Sequence, residues 1–486
     1  MCMIRGEIYD ACSTFTQPLS TECIDRSLIA GGSAERAVST EAVYNYVRER
    51  ESNARTYADK LDRVIERGSL ARVWDSEGRE YLDCLSVAGT LALGHNHPIV
   101  IEAVLDFIAS GQVQQALDLT TPAKYRFLRQ LFDVFPADFG ATAKVQFCGP
   151  SGADATEAAV KLFKTATGRR TVIAFHGAYH GMTAGSLSLT GNLVAKRSVA
   201  SLMPDTHFLP YPDSYRCPFG LGGEAGVRAN LHYLERVLTD PDSGITKPAA
   251  VFVEAVQGEG GVIPAPPSWL RGLRELTARL DIPLVLDEIQ TGFGRTGTMF
   301  AFEEAGIRPD AVLISKAVGG GFPLALVAYD ARYDAWSPGA HAGTFRGNQI
   351  AMVAGATTIS VIRDENLVHA AVAKGKLIGA GLGELADRHP EIGDVRGRGL
   401  MWGVEIVDPR LPADALGAHP ADGERAAEIG RRCLELGLIV ERGGRHGAVL
   451  RLLPPLVITE GEVEEMISKL GMALVAKPQG SGRSGR

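Results

Sequence analysis

Between residues 144 and 329 the chain carries six largely apolar runs of strand length: 144–148, 170–175, 249–256, 282–289, 311–315 and 324–329. Continuous rather than alternating hydrophobicity implies strands buried on both faces, which a sheet covered by helices on each side provides. Patterns of helical period precede and separate them, over 98–110 and over 151–167, where Gly168 supplies a stop. These features predict an α/β fold on a mostly parallel large-domain sheet. Its 56 glycines suit many tight strand-to-helix turns better than a helical bundle. The 486 residues suffice for a large domain plus a smaller α+β one built from both chain ends. The expected division is an arm over 1–40, the first part of the small domain over 41–97, the large domain over 98–345, the rest of the small domain over 346–476, and a Gly/Ser/Arg-rich tail over 477–486 that reads as disordered. Within these, 41–57 is helix-compatible, and 70–82 reads as two short strands about the turn Asp75-Ser76-Glu77-Gly78. The Pro- and Gly-rich stretch 203–226 reads as a long loop, and 399–406 and 449–453 read as strands of the smaller domain.

Composition narrows the partners. A net charge of −7 gives no reason to expect nucleic acid or an anionic membrane. No stretch approaches the ~20 apolar residues of a membrane span, and residues 1–18 contain no continuous hydrophobic run of the signal-peptide kind. The seven cysteines are scattered and form no CxxC pair, so neither a metal site nor a disulfide framework is expected; reduced thiols in the cytoplasm are.

Two of the buried runs end in chemistry. The run Ile282-Pro283-Leu284-Val285-Leu286 delivers Asp287, and Val312-Leu313-Ile314-Ser315 delivers Lys316 ahead of a glycine-rich turn, Gly319-Gly320-Gly321. Alone, the lysine would be a solvated strand end and the aspartate a helix cap. Together at this separation they fit pyridoxal 5′-phosphate, whose aldehyde needs an imine-forming lysine and whose pyridine nitrogen needs a carboxylate to hold its proton. Burial and a neighbouring cation would depress the lysine pKa, and its amine, once freed by the substrate, can move a proton. The phosphate needs backbone donors at a helix start. Cys148-Gly149-Pro150-Ser151-Gly152-Ala153 supplies a strand end, a small-residue turn and a helix start, with the Ser151 hydroxyl and the N–H groups of Gly152 and Ala153 as donors. Further along, Arg451 lies inside an apolar strand, and Glu254 and Glu259 flank a turn after another. Buried charges are expected to be paired, so the plain reading is a structural Arg–Glu bridge.

In this order the motifs resemble the class III (omega-amino acid) aminotransferases, which are fold-type I pyridoxal-phosphate enzymes. The resemblance runs from about residue 57 to 470. Within the class it is similar to the diaminobutyrate–2-oxoglutarate aminotransferases, through Gly89-Thr90-Leu91, Ala116-Leu117-Asp118-Leu119-Thr120-Thr121-Pro122, Gly149 to Asp154, and Gly181-Met182-Thr183 leading to Leu189-Thr190-Gly191-Asn192. Ornithine aminotransferases differ, carrying an active-site tyrosine near the position of Ala88. The resemblance implies that Tyr179, followed by His180 and Gly181, stacks on the cofactor ring, and that Gln290 reaches the ring hydroxyl. It implies that Thr344 serves the phosphate of a neighbouring subunit, making a homodimer with shared active sites. It also implies a switch, in which Arg451 binds the α-carboxylate of glutamate or 2-oxoglutarate and Glu259 neutralises it when an ω-amine enters. The expected reaction converts L-aspartate 4-semialdehyde and L-glutamate to L-2,4-diaminobutyrate and 2-oxoglutarate. The substrates are thus small amino and oxo acids. An ornithine, lysine or 4-aminobutyrate type of ω-aminotransferase stays open as an alternative. So, further off, do an aminomutase or racemase and a non-catalytic cofactor-binding protein.

Overall fold

The computed structural model describes residues 39–475, so the expectations for the N-terminal arm and the C-terminal tail lie outside the described residues. Two compact units divide at residues 64 and 65. In the first, the helix Thr40–Arg50 is capped by the Ser39 hydroxyl on the Ala42 N–H, and a short helix follows over Ala58–Leu61. The helix-compatible stretch therefore stops seven residues early, where Glu51 turns extended.

The second unit is organised by a seven-stranded sheet. Its spatial order is Ala143–Phe147, Leu326–Asp330, Ala311–Ile314, Leu284–Asp287, Ala250–Glu254, Val172–Phe175 and Thr206–Leu209. Neighbours pair in parallel except at Leu326–Asp330, which runs antiparallel to both strands beside it. The four central strands, from Leu326 to Asp330 through Ala250 to Glu254, have every residue buried, as their largely apolar runs require. Apolar composition carries no strand direction, so the antiparallel member could not be told from the others. The edge strand Thr206–Leu209 corrects the loop expected over 203–226, which also gives way to a helix at Gly223. That strand is only half-buried, so its residues lack the apolar run that marks the others.

Helices cover the sheet. Gly152–Thr167 turns Ala155, Ala158, Ala159, Leu162 and Phe163 inward, a spacing that keeps one helical face on the sheet, and ends on Gly168 in the left-handed conformation. On the other side Trp269 of the helix Pro267–Arg279 packs on Phe175 and donates its indole N–H to Asn230 at 2.7 Å. Fully burying one such aliphatic or aromatic side chain contributes roughly 1.5–3 kcal/mol. Residues 65–83 meet residues 438–439 in a second sheet. Strands Ile65–Ser69, Arg72–Asp75 and Glu80–Asp83 form an antiparallel run, and Leu438–Ile439 joins the last of them in parallel. A third, antiparallel sheet has the order Ile392–Arg398, Met401–Ile406, Val449–Leu452, Glu441–Gly443.

Candidate active site

The carboxyl ends of the parallel strands Ala250–Glu254, Leu284–Asp287 and Ala311–Ile314 open onto a cavity of about 310 Å³. Ser151, Gly152, Ala153, Tyr179, His180, Glu254, Glu259, Asp287, Gln290 and Lys316 all line it. Ten of the twelve residues singled out by sequence therefore meet in one place. Arg451 stands behind Glu259, and Thr344 does not line this cavity but lies exposed on the turn Thr344–Gly347.

Asp287 ends its strand 4% exposed. Its Oδ2 lies 2.7 Å from Nδ1 of His180, itself 1% exposed, and its Oδ1 accepts the Ile289 N–H at 3.0 Å. Burial pushes the His180 imidazole down, but the hydrogen bond and charge of Asp287 outweigh it and raise the ring's pKa overall. Glu254, on the neighbouring strand, accepts the Tyr179 N–H and the Gly258 N–H, both at 3.1 Å. Burial pushes this carboxyl up to about 7, with nearby Asp287 adding to the effect and His180 opposing it. Both its oxygens are thus engaged by backbone.

Lys316 opens the turn Lys316–Gly319 with a left-handed φ of 54°. Burial pushes its ammonium pKa down; the charge of Glu259 opposes this and that of Arg451 assists it. Nζ donates to the carbonyl of Ala88 at 3.0 Å, and the same carbonyl accepts Nε2 of Gln290 at 2.9 Å. Ala88 sits in a run of three left-handed non-glycine residues, with φ of 48°, 52° and 56° at Ser86, Val87 and Ala88. Such conformations cost on the order of 1–2 kcal/mol each, and here they aim one carbonyl at two groups of the site. Sequence reasoning missed this contact, because nothing in Ser86-Val87-Ala88 resembles a turn signal.

At the far wall, the helix Gly152–Thr167 points its N-terminus into the cavity. Ser151 hydrogen-bonds Asp154 through both its N–H (3.0 Å) and its hydroxyl (2.8 Å). A β-carbon on Gly152 would lie 2.8 Å from Cδ1 of Ile289, so a larger residue at this helix start would push the Ile289 side chain aside. A β-carbon on Gly258 would meet the side-chain amide of Gln290, which would have to move aside.

Arg451 is fully buried, and the structure pairs it with Glu441 and Glu259 rather than with Glu254. Its Nη2 lies 2.5 Å from Oε1 of Glu259 and 2.7 Å from Oε2 of Glu441. Glu441 is directly opposite Arg451 on the adjacent antiparallel strand. Sequence reasoning missed it too. The available signal was a second charge beside an apolar pair, Ile439-Val440, ten residues before the buried arginine.

The cavity fits pyridoxal phosphate. It offers a helix terminus for the phosphate, a buried carboxylate, a lysine of lowered pKa, and in Oε1 of Gln290 a buried polar atom with no protein partner. Among the described residues no group of three or more His, Cys, Asp or Glu could hold a metal ion, and no helix is long and apolar enough to cross a membrane.

Comparison with known proteins agrees. The profile of the family "Aminotransferase class-III" matches residues 53–474. A diaminobutyrate–2-oxoglutarate aminotransferase of Rhizobium meliloti (strain 1021) is 54% identical over 424 residues, covering 87% of this chain and 90% of its own. Its namesake from Haemophilus influenzae is 52% identical over 425 residues, covering 87% and 93%. Among solved structures, an amine transaminase from an uncultivated Pseudomonas species, in its PLP-bound form, superposes with a TM-score of 0.78 at 28% identity, over 87% of this chain and 97% of that one. Ornithine aminotransferase from Toxoplasma gondii superposes with a TM-score of 0.75 at 26% identity, over 93% and 97%. With a fold-type I architecture, a lysine and carboxylate facing one cavity, and a family match along most of its length, the chain belongs to the class III, pyridoxal-phosphate-dependent aminotransferases.

Proposed function

We propose that the enzyme moves the amino group of L-glutamate to L-aspartate 4-semialdehyde, giving 2-oxoglutarate and L-2,4-diaminobutyrate. The observation that carries this reading is the buried Arg451 guanidinium held by Glu259, a carboxylate 35% exposed at the cavity edge. A carboxylate of glutamate or 2-oxoglutarate can take the place of Glu259, since a guanidinium recognises both alike. The names of the relatives at 54% and 52% identity support the same pair of substrates.

Pyridoxal phosphate, when bound, supplies the aldehyde that receives the amino group and a ring that accepts electrons from the substrate carbon. Ser151, Gly152 and Ala153 would hold its phosphate, Tyr179 would face its ring, and Gln290 would face the ring hydroxyl. Asp287, steadied by His180, keeps a proton on the ring nitrogen; each carboxylate oxygen still has accepting capacity beyond the contacts described. Lys316 would take a proton from the substrate carbon at Nζ and return it two bonds away, on the far side of the transferred nitrogen. Its lowered pKa leaves more of the amine neutral for this work. The Ala88 carbonyl keeps that amine in the cavity.

The working unit in this reading is a cytoplasmic homodimer with Thr344 reaching the partner's phosphate site. In support, Thr344 and Phe345, the latter 67% exposed, adjoin Leu117 and Leu119, also exposed, through the Arg346–Asp118 ion pair and the Ala116-to-Gly347 hydrogen bond. Such apolar exposure suits a covered surface. A panel of amine donors and carbonyl acceptors tests the proposal. Diaminobutyrate with 2-oxoglutarate should give the highest kcat/KM, and a clear preference for ornithine, lysine or 4-aminobutyrate would overturn the substrate assignment.

A further inference from the structure

Arg451 has two carboxylate partners of different character, and their difference implies a division of labour. Glu259 stands at the cavity edge on the turn after Val256–Gln257, 35% exposed, and can leave. Glu441 is 3% exposed, on a strand paired in register with the strand of Arg451. Its backbone is held by the ladder and its side chain is enclosed, so it has no solvent-filled space to swing into. We infer that Glu441 is the standing counter-ion of the substrate-reading arginine. It holds the guanidinium in place and compensated while Glu259 departs and a substrate carboxylate arrives. The inference rests on the proposed Arg451–Glu259 exchange and adds to it a positioning residue.

Charge counting shows why a third group is needed. With two partners alone, each departure of Glu259 would leave a fully buried guanidinium bare, the costly step in handling buried ion pairs. With Glu441 fixed, the cluster passes from one excess negative charge (Glu259 in) to a neutral pair (Glu259 out), and back to one excess negative charge when a carboxylate binds. The bare cation never occurs. Glu259 and the substrate carboxylate also compete for the same guanidinium, which Glu441 weakens for both alike. Removing the Glu441 charge should therefore strengthen both competitors, and their effects cancel. The cancellation fails only where Glu259 is missing.

A double-mutant cycle on the holoenzyme exposes this, with glutarate, a dicarboxylate lacking an amine, as the probe and its dissociation constant from the cofactor absorbance as the readout. Glu441→Gln alone should change glutarate affinity by less than about threefold. The same substitution in a Glu259→Ala background should tighten it roughly tenfold or more, because one unit charge a few ångströms from the guanidinium no longer has a competitor to cancel it. Glu441→Asp, which keeps the charge, should leave affinity near that of its parent in both backgrounds. Equal effects of Glu441→Gln in the two backgrounds would overturn the inference. Should the double variant fail to fold, the single variant decides: a tenfold or larger change in glutarate affinity contradicts cancellation. Failure of the underlying exchange looks different. In that case Arg451→Lys would leave glutarate affinity of the otherwise wild-type enzyme untouched.

Discussion

The floor and the rim of the cavity are built from the same residue types in opposite ways. On the floor, Asp287 and Glu254 end adjacent parallel strands in register and are each fixed by backbone: Ile289 N–H on one, Tyr179 and Gly258 N–H on the other. At the rim, Glu259 meets Arg451 side chain to side chain at 2.5 Å and is a third exposed. Backbone donors at strand ends cannot move without unmaking the sheet, so they suit groups whose position must be constant. A side-chain pair half in solvent suits a group that must come and go. The fixed carboxylates are buried on strands, held by backbone N–H groups on the floor and by the guanidinium at Glu441, whereas Glu259 stands partly exposed on a turn and meets its partner side chain to side chain.

The largest effect should come from the floor. Lys316→Ala should lower turnover by roughly 10⁴-fold or more, since among the described residues no other lysine lines the cavity. The cofactor should remain bound but lose the absorbance of its covalent link, and the thermal transition should barely move. Full turnover in this variant would remove the floor from the chemistry altogether. Asp287→Asn comes next. It conserves size while deleting the charge that raises His180 and holds a ring proton, so single-turnover rates should fall on the order of 10³-fold, the equivalent of about 4 kcal/mol of lost charge stabilisation. Equal losses with every amine are expected, because the floor does not distinguish substrates.

Much of the floor was legible in sequence, and less of the rim. Asp287 and Lys316 stand directly after apolar runs, so strand length and burial locate them at one sheet edge, and Gly152 and Ala153 follow from a helix start after another strand. The half-buried strand Thr206–Leu209 escaped because it is an edge, with no apolar run to announce it. Glu441 escaped because its importance lies in cross-strand register with Arg451, which two short strands separated by a glycine turn do not encode locally. The carbonyl of Ala88 escaped because backbone conformation against residue preference is a tertiary outcome.

At the rim, effects should split by substrate. Arg451→Ala should slow the glutamate half-reaction by tenfold to a hundredfold, as loss of charge-assisted hydrogen bonds of roughly 1.5–3 kcal/mol implies, and should slow the diaminobutyrate half-reaction much less. It should also lower stability by about 3–5 kcal/mol, because Glu441 is left buried without its cation. Glu259→Ala should reverse the preference, harming diaminobutyrate by up to about tenfold while the fold is unaffected. Single-turnover spectra with each amine measure the two half-reactions separately. Should both variants slow both amines equally, the rim would be as static as the floor.

The smallest effect makes the sharpest contrast between the two regions, and it concerns Glu254. Its pKa is pushed up to about 7 by burial, against an ordinary 4.5, so the folded state binds this proton more tightly than the unfolded chain does. That contribution to stability is complete below about pH 4.5 and is lost as pH rises to about 7. Glu254→Gln cannot titrate, and its amide offers one acceptor where two backbone N–H groups need oxygen. Its stability relative to wild type should therefore improve between pH 5 and pH 8 by on the order of 1–3 kcal/mol, read from denaturant midpoints at the two pH values. The ratio of the two half-reactions should stay within about twofold of wild type, because a brace for Tyr179 and Gly258 acts on both amines alike. If Glu254→Gln instead shifted that ratio as Glu259→Ala does, the two carboxylates would be members of one switch, and backbone anchoring would no longer mark the fixed group.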